Sequence, residues 1–274
     1  MTVPTLTFHN GVDIPQLGFG VWQVSDDEAE SAVSTAFEAG YRHIDTAAAY
    51  GNEQGVGRAI AASGLDRDEL FITTKLWNNA QGYDNALKAF EESRARLGLD
   101  VVDLYLIHWP TPERDLYVET WKAFEKLYAD GLVRAIGVSN FLPEHLDRLI
   151  TEGTEVPVIN QVELHPGFRN LATEQADAAH RILTEAWSPL GQGTLLEEPT
   201  LVELAEAKGR SVAQVIIRWH LQSGRVVIPK SVTPSRIREN IDVFDFSLTD
   251  EEMAAIEAFN TDTKIGPDPA AFNN

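Results

Sequence analysis

Eight short runs rich in apolar and β-branched residues recur along this chain. They alternate with stretches whose apolar residues follow helical spacing, at a repeat of roughly thirty residues. The runs are LGFG (17–20), RHID (42–45), LFITTK (70–75), VDLYLIH (102–108), RAIGVS (134–139), VINQVE (158–163), RILTEAW (181–187) and VVIPK (226–230). Among the segments between them is SDDEAESAVSTAFEAG (25–40), where Ser25 stands at the N-cap, acids fill the first turn and Gly40 ends the helix. DNALKAFEESRARLG (84–98) follows the same grammar. Strands separated by helices imply a parallel sheet covered by helices. Eight of them predict closure into a (β/α)8 TIM barrel, an α/β fold. An open doubly wound sheet would want a G-x-G-x-x-G turn directly after its first strand, whereas Gly55-x-Gly57 lies inside a helical pattern. An N-terminal β-hairpin precedes the barrel, with Asn10-Gly11 suited to a type I′ turn.

The 274 residues, 43% of them hydrophobic, suffice for one large core, and barrels of about 250 residues fold as one domain. With no Pro/Gly/Ser-rich linker to divide it, the chain is expected to be a single domain over residues 1–274. It has no cysteine, which excludes disulfides and thiolate metal sites and fits a reducing cytoplasm. The opening MTVPTLTFHNG lacks the basic start and apolar core of a signal peptide. No window approaches the roughly 18 apolar residues of a membrane span, so a soluble cytoplasmic protein is expected. Asp and Glu outnumber Lys and Arg by 42 to 22, and the formal net charge is −20. Such a surface repels nucleic acid and anionic membranes, so any anionic ligand must meet a local basic patch.

Active sites of barrels form where the C-terminal ends of the strands meet. Asp45 ends the second run, Lys75 the third and His108 the fourth, with Tyr50 on the connection after the second. A phenol is a poor acid at neutral pH, but an ammonium beside it stabilises the phenolate. Lys75 is placed to do this, with Asp45 keeping Lys75 charged and His108 hydrogen-bonding a carbonyl oxygen. The four together make a proton donor and an oxyanion site, as reduction of a carbonyl by hydride requires. Each also has a structural reading: a buried Asp–Lys tie between strands, a packed Tyr, a satisfied core His.

The basic patch lies in VVIPKSVTPSRIRENIDVF (226–244). Thr233 is a good N-cap and Pro234 suits the first helical position. A helix N-terminus with free N–H groups binds phosphate, and barrels commonly do so after the last strand. Lys230, Ser231 and Arg236 read as a phosphate clamp, with Arg238 equally suited to solvent. A monophosphate held apart from a pyrophosphate favours NADP over NAD.

The motifs GYRHIDTAAAYGNE, FITTKLW, LYLIHWP, IGVSNF, NQVELHP, EAWSPLGQG and IPKSVTPSRIRENIDVFDFSLT occur in that order. Together they resemble the aldo-keto reductase family over nearly the whole chain, with the bacterial branch of 2,5-diketo-D-gluconate reductases nearest. The resemblance implies NADPH-dependent reduction of aldehydes or ketones, including α-dicarbonyls or keto-sugars such as 2,5-diketo-D-gluconate, by a monomer. By it, Tyr50 is the general acid, Lys75 lowers its pKa, Asp45 pairs with Lys75 and His108 orients the carbonyl. Ser139, Asn140 and Gln161 would hold the nicotinamide carboxamide and Trp187 would stack on its ring. Ser188, Leu190, Gly191, Gln192 and Gly193 would lie along the pyrophosphate. Lys230, Ser231, Val232, Thr233 and Arg236 would grip the 2′-phosphate, with Glu239 and Asn240 near the adenine and ribose. Trp22, Trp77 and Trp109 would form an aromatic wall around the substrate. The family's C-terminal substrate loop is shortened here to about KIGPDPAAFNN (264–274), which implies a more open pocket.

Two other readings compete. His43, Glu163 and His165 beside Asp45 and His108 raise a metal site, but a Lys and a Tyr in the same mouth suit hydride chemistry better. Alternatively, a non-catalytic NADP-binding module would sense redox state, binding cofactor without turnover.

Overall fold

A computed structural model of the chain describes residues 3–274. The first two strands, β1 (Thr5–Thr7) and β2 (Asp13–Pro15), form an antiparallel hairpin. Eight parallel strands follow: β3 (Phe19–Gly20), β4 (His43–Asp45), β5 (Phe71–Leu76), β6 (Val102–Ile107), β7 (Val133–Ser139), β8 (Ile159–Glu163), β9 (Leu183–Trp187) and β10 (Val226–Val227). They are hydrogen-bonded in chain order. The sheet closes through a parallel bridge between Leu17 and Val227, with Gly18 N–H donating to the Val227 carbonyl at 2.9 Å. The helices are α1 (Asp26–Ala39), α2 (Glu53–Ala62), α3 (Tyr83–Leu97), α4 (Tyr117–Ala129), α5 (Pro143–Glu152), α6 (Leu171–Ala179), α7 (Pro199–Lys208), α8 (Val212–Gln222), α9 (Pro234–Ile241) and α10 (Asp250–Glu257). This is the (β/α)8 barrel that the alternation of strands and helices predicts.

Strand parity separates two cores, because successive side chains point to opposite faces. Ile72, Tyr105, Ile107, Ile136, Val138, Val162 and Ala186 face outward into the layer packed by helices. Phe71, Leu104, Leu106, Ala135, Ile159 and Val226 face inward. The hairpin closes the bottom of this inner core with Phe8 and Ile14. Above the apolar floor the same inward parity delivers His43 and Asp45 from β4, Thr73 and Lys75 from β5, Gln161 from β8 and Glu185 from β9, all buried. Water is thus shut out from below, and chemistry is left to the open upper end.

Several local expectations change. The hairpin turn is not type I′: Gly11 has φ 86, but Asn10 is not among the residues of positive φ. Gly11 N–H donates to the Phe8 carbonyl and Phe8 N–H to the Val12 carbonyl, each at 2.9 Å, making a three-residue loop with Gly11 in the left-handed position. The Asn10 side chain accepts from Val12 N–H at 3.1 Å instead. Ser25 occupies the cap position, but its hydroxyl donates to Glu28 at 2.7 Å rather than accepting from the helix. Thr233 likewise makes no side-chain cap, although Pro234 does open α9. The run VVIPK is a strand only at Val226–Val227, because Pro229 has no N–H to continue the ladder. RILTEAW begins as a strand only at Leu183, since Arg181 has φ 59.

Gly55 and Gly57, which might have suggested a nucleotide turn, let helices approach. A Cβ on Gly55 would lie 2.2 Å from the Asp26 carbonyl oxygen on α1, and one on Gly57 would lie 2.7 Å from that of Leu97 on α3. Gly55→Ala should therefore destabilise the fold by about 1–3 kcal/mol, the usual cost of overpacking. A urea midpoint equal to that of the wild type would show that α1 and α2 can separate freely.

Candidate active site

The upper mouth is organised around one ammonium. Lys75 is fully buried, and its Nζ donates to Asp45 Oδ1 at 2.5 Å, to the Thr46 carbonyl at 3.0 Å and to the Tyr50 hydroxyl at 3.5 Å. Burial alone would strip the proton from Lys75. The charge of Asp45 and its hydrogen bond overcome this and hold the ammonium above its usual range. Tyr50 arrives on a single 3-10 turn, Ala48–Tyr50, that follows β4 and ends at Gly51 with φ 66. This turn swings the phenol back over β5. Burial pushes the Tyr50 phenol upward and Lys75 pulls it down without cancelling that rise, so the group holds its proton at neutral pH.

His108 lies just past β6, with its ring centroid 5.7 Å from that of Tyr50. Burial, and then the Lys75 charge, push it well below its ordinary range, so the imidazole is neutral. The Asp45 carboxylate is fixed on its other oxygen by Gln161, whose Nε2 donates to Oδ2 at 2.7 Å and also to Glu185 Oε2 at 2.9 Å. With both amide hydrogens spent on carboxylates, Gln161 presents only its Oε1 to the cavity it lines. Ser139 donates to the Gln161 carbonyl at 2.7 Å, and Asn140, at φ 63, accepts from Trp187 Nε1 at 2.9 Å.

From this mouth a cleft runs towards α9. A cavity of about 540 Å³ is lined by Asp45, Tyr50, Trp77, His108, Trp109, Ser139, Asn140, Gln161 and Trp187. A second, of about 620 Å³, is lined by Leu190, Gly193, Ser231, Arg236, Glu239 and Asn240. Both include Trp22, Ser188, Pro189, Gln192 and Lys230, so the two are continuous. Gln192 has φ 53, between Gly191 at 57 and Gly193 at 91, and this left-handed run curls the loop along the cleft. At the far end Lys230 and Arg236 have no carboxylate partner among the described residues, whereas Arg238 is turned away to Glu38 at 3.3 Å. A long groove with an acceptor amide at one end and free cations beside a helix N-terminus at the other fits a phosphorylated dinucleotide.

Four residues of the sequence-predicted set stand apart from the cleft lining, Lys75 because it is buried behind Asp45 and Tyr50. Gly191 is buried beneath the cleft, and Val232 and Thr233 are exposed beside it. His43 lies a layer lower, 3.1 Å from the Thr73 hydroxyl, and His165 Nε2 pairs with Glu163 at 3.2 Å. Other contributors went unpredicted. Gln23, Pro189, Ser211, Val212 and Ala213 line the far half; only the Ser211–Gln214 capping box gave a signal, and it marks a helix start rather than a ligand wall. The C-terminal segment also departs from expectation. It crosses the mouth instead of leaving it open, with Ile265 N–H and Gly266 N–H donating to the two Glu163 oxygens at 2.6 and 2.9 Å. Phe272 packs against Trp109 with the rings tilted and their centroids 4.5 Å apart.

Comparison with known proteins agrees with this geometry. The profile of the Aldo/keto reductase family matches residues 16–261. An aldo-keto reductase of Mycobacterium sp. (strain KMS) is 55% identical over 273 residues, covering 100% of this chain and 99% of the relative. The glyoxal reductase of Bacillus subtilis (strain 168) is 52% identical, covering 97% of this chain and 96% of the relative. A mutant of the protein Gox0644, solved in complex with NADPH, superposes with a TM-score of 0.96 at 48% identity, covering 99% of each chain.

The ion pair sets a stability prediction. Lys75→Met leaves the buried Asp45 charge uncompensated and should cost about 3–5 kcal/mol. Adding Asp45→Asn should restore a large part of that loss without restoring any function. Equal denaturation midpoints for the single and double variants would show that the pair is not the source of the cost.

Proposed function

The chain belongs to the aldo/keto reductase family, and within it we propose that Tyr50, Lys75, Asp45 and His108 form the catalytic set of an NADPH-dependent carbonyl reductase. The observation that carries this reading is the buried Lys75 ammonium held between the Asp45 carboxylate and the Tyr50 hydroxyl. The protein reduces aldehydes and ketones to alcohols, and NADPH, when bound, supplies the hydride. His108, neutral, donates a hydrogen bond to the carbonyl oxygen. Tyr50 delivers its proton to that same oxygen as negative charge develops there. The phenolate left behind faces Lys75, whose positive charge is already in place and needs no reorganisation.

In this reading Gln161 Oε1, with Ser139 and Asn140, receives the carboxamide, and Trp187 forms the face against the nicotinamide ring. Ser188, Leu190, Gln192 and Gly193 follow the pyrophosphate over buried Gly191. Lys230, Ser231 and Arg236 take the 2′-phosphate with Val232 and Thr233 beside them, and Glu239 and Asn240 adjoin the adenosine. Trp22, Trp77, Trp109 and Phe272 bound the substrate end. Of the residues lining that cavity only Lys230 is a permanent cation, and it belongs to the cofactor half. Uncharged aldehydes, ketones and small α-dicarbonyls therefore suit the pocket better than a carboxylate-bearing keto-sugar. One barrel domain acting as a cytoplasmic monomer completes the reading. Among the described residues no helix is long and apolar enough to cross a membrane.

Loss of NADPH absorbance with a panel of benzaldehydes, methylglyoxal and 2,5-diketo-D-gluconate tests the assignment, and the uncharged compounds should turn over best. Tight NADPH binding with no turnover of any of them would instead make the protein a cofactor sensor. Tyr50→Phe should retain NADPH binding and lose about 10²–10⁴-fold in kcat. Arg236→Ala should raise KM for NADPH much more than for NADH, and equal increases would remove Arg236 from the 2′-phosphate.

A further inference from the structure

A second carboxylate lies under the catalytic set with no counter-ion of its own. Glu185, on β9, is fully buried and pairs in register with Gln161 on β8. Its Oε2 accepts from Gln161 Nε2 at 2.9 Å, and the same nitrogen gives its other hydrogen to Asp45 Oδ2. Its Oε1 is buried and has no hydrogen-bond partner. Two groups from β4 face it: Asp45, and His43, whose Nε2 is 3.8 Å from Oε1. From β5 come Lys75 and Thr73. His43 supplies no charge, because burial chiefly, and Lys75 in addition, depress it to about 3. Among the described residues Lys75 is the one cation facing this interior, and it is already taken by Asp45 at 2.5 Å. Two carboxylates thus share one ammonium across a single amide, in a space closed below by the apolar floor. Charge balance there is met when Glu185 carries a proton.

We propose that Glu185 is a positioning residue for the proton transfer assigned above to Tyr50: tied through Gln161 to the Asp45 carboxylate that holds Lys75, it sets the field in which the Tyr50 phenol keeps its proton. The inference rests on that reading of Tyr50. Burial first, and then the Asp45 charge, push the Glu185 carboxyl up to about 8. An ionised Glu185 raises the Tyr50 phenol, opposing Lys75, and also raises Lys75 itself. The group that would otherwise lose its proton with rising pH thus gains a negative neighbour over that same range, so reductase activity extends further into alkali than Asp45 and Lys75 alone would allow.

Glu185→Gln tests this, because an amide has the shape of the neutral acid, keeps an acceptor for Gln161 and cannot ionise. At about pH 6 the variant and the wild type should agree in kcat/KM for a carbonyl substrate. Above about pH 10, where a phenol begins to lose its proton, the variant should fall behind by up to about tenfold, the change in protonation ratio that one pKa unit represents. Superimposable profiles would overturn the proposal, and so would an equal loss at every pH, which is what a packing defect gives. A measurement on the wild type stands independently of the variant's folding. With 13C at the glutamate side-chain carboxyls, one resonance should keep its protonated shift through neutral pH and titrate near 8. Titration of every glutamate below about 6 would sink the idea. Failure of the Tyr50 reading shows separately, as full turnover by Tyr50→Phe at about pH 6, where Glu185 is neutral.

Discussion

Everything at the mouth of this barrel depends on keeping one lysine charged where no water reaches it. An isolated ammonium in such an interior would lose its proton. Lys75 keeps its own because Asp45 stands at hydrogen-bond distance on the neighbouring strand. The pairing of β4 with β5 sets Asp45 opposite Thr73, so that Lys75, two residues further on, shares its facing parity and reaches back to it. A slip of one residue would turn either side chain into the helix layer. The hairpin contributes at a distance: Phe8 and Ile14 close the floor and exclude the water that would weaken the pair.

The architecture was legible in the sequence because it is written in periodicity, and the cluster at the mouth because its members interrupt that periodicity. Asp45, Lys75 and His108 are polar residues at the ends of apolar runs, and each needed only a strand count to be placed. Glu185 interrupts RILTEAW in the same way and was passed over. Its meaning comes from Gln161 and Asp45 on strands that are remote in sequence, and only closure of the barrel puts them together. The Asn10-Gly11 turn failed for a local reason. The dipeptide suits two hairpin turns, and the choice falls to the Asn10 side chain, which satisfies Val12 N–H.

Electrostatics divides the cleft. On a surface this acidic most cations find carboxylates: Arg58 meets Asp26 and Glu30, Arg210 meets Asp242 and Asp245, and Arg238 meets Glu38. Among the described residues Lys230 and Arg236 have no carboxylate partner beside the start of α9, so an arriving phosphate has no resident anion to displace there. The opposite end is neutral. His108 is uncharged, Trp77 and Trp109 pack around it, and Phe272 packs on those two tryptophans. On the proposed reading, a charged cofactor and an uncharged substrate would thereby be steered to different halves of one groove.

The proposed substrate half is built largely from parts that no strand holds. Glu163, at the end of β8, accepts two successive backbone N–H groups of the C-terminal segment, from Ile265 and Gly266. Burial would raise this carboxyl, but hydrogen bonds from His165 and those two N–H groups outweigh it and hold Glu163 below its usual range. The anchor therefore stays ionised throughout the neutral range. Gly266 is the residue that lets the segment approach so closely, since a Cβ there would come within 2.5 Å of Trp187 and 2.9 Å of Glu163. One short strap thus touches the proposed nicotinamide face on one side and carries Phe272 to the substrate wall on the other. Its sequence can change without disturbing the strands that hold the proposed proton donor, so on that reading chemistry and selectivity would be set by separate parts of the same chain.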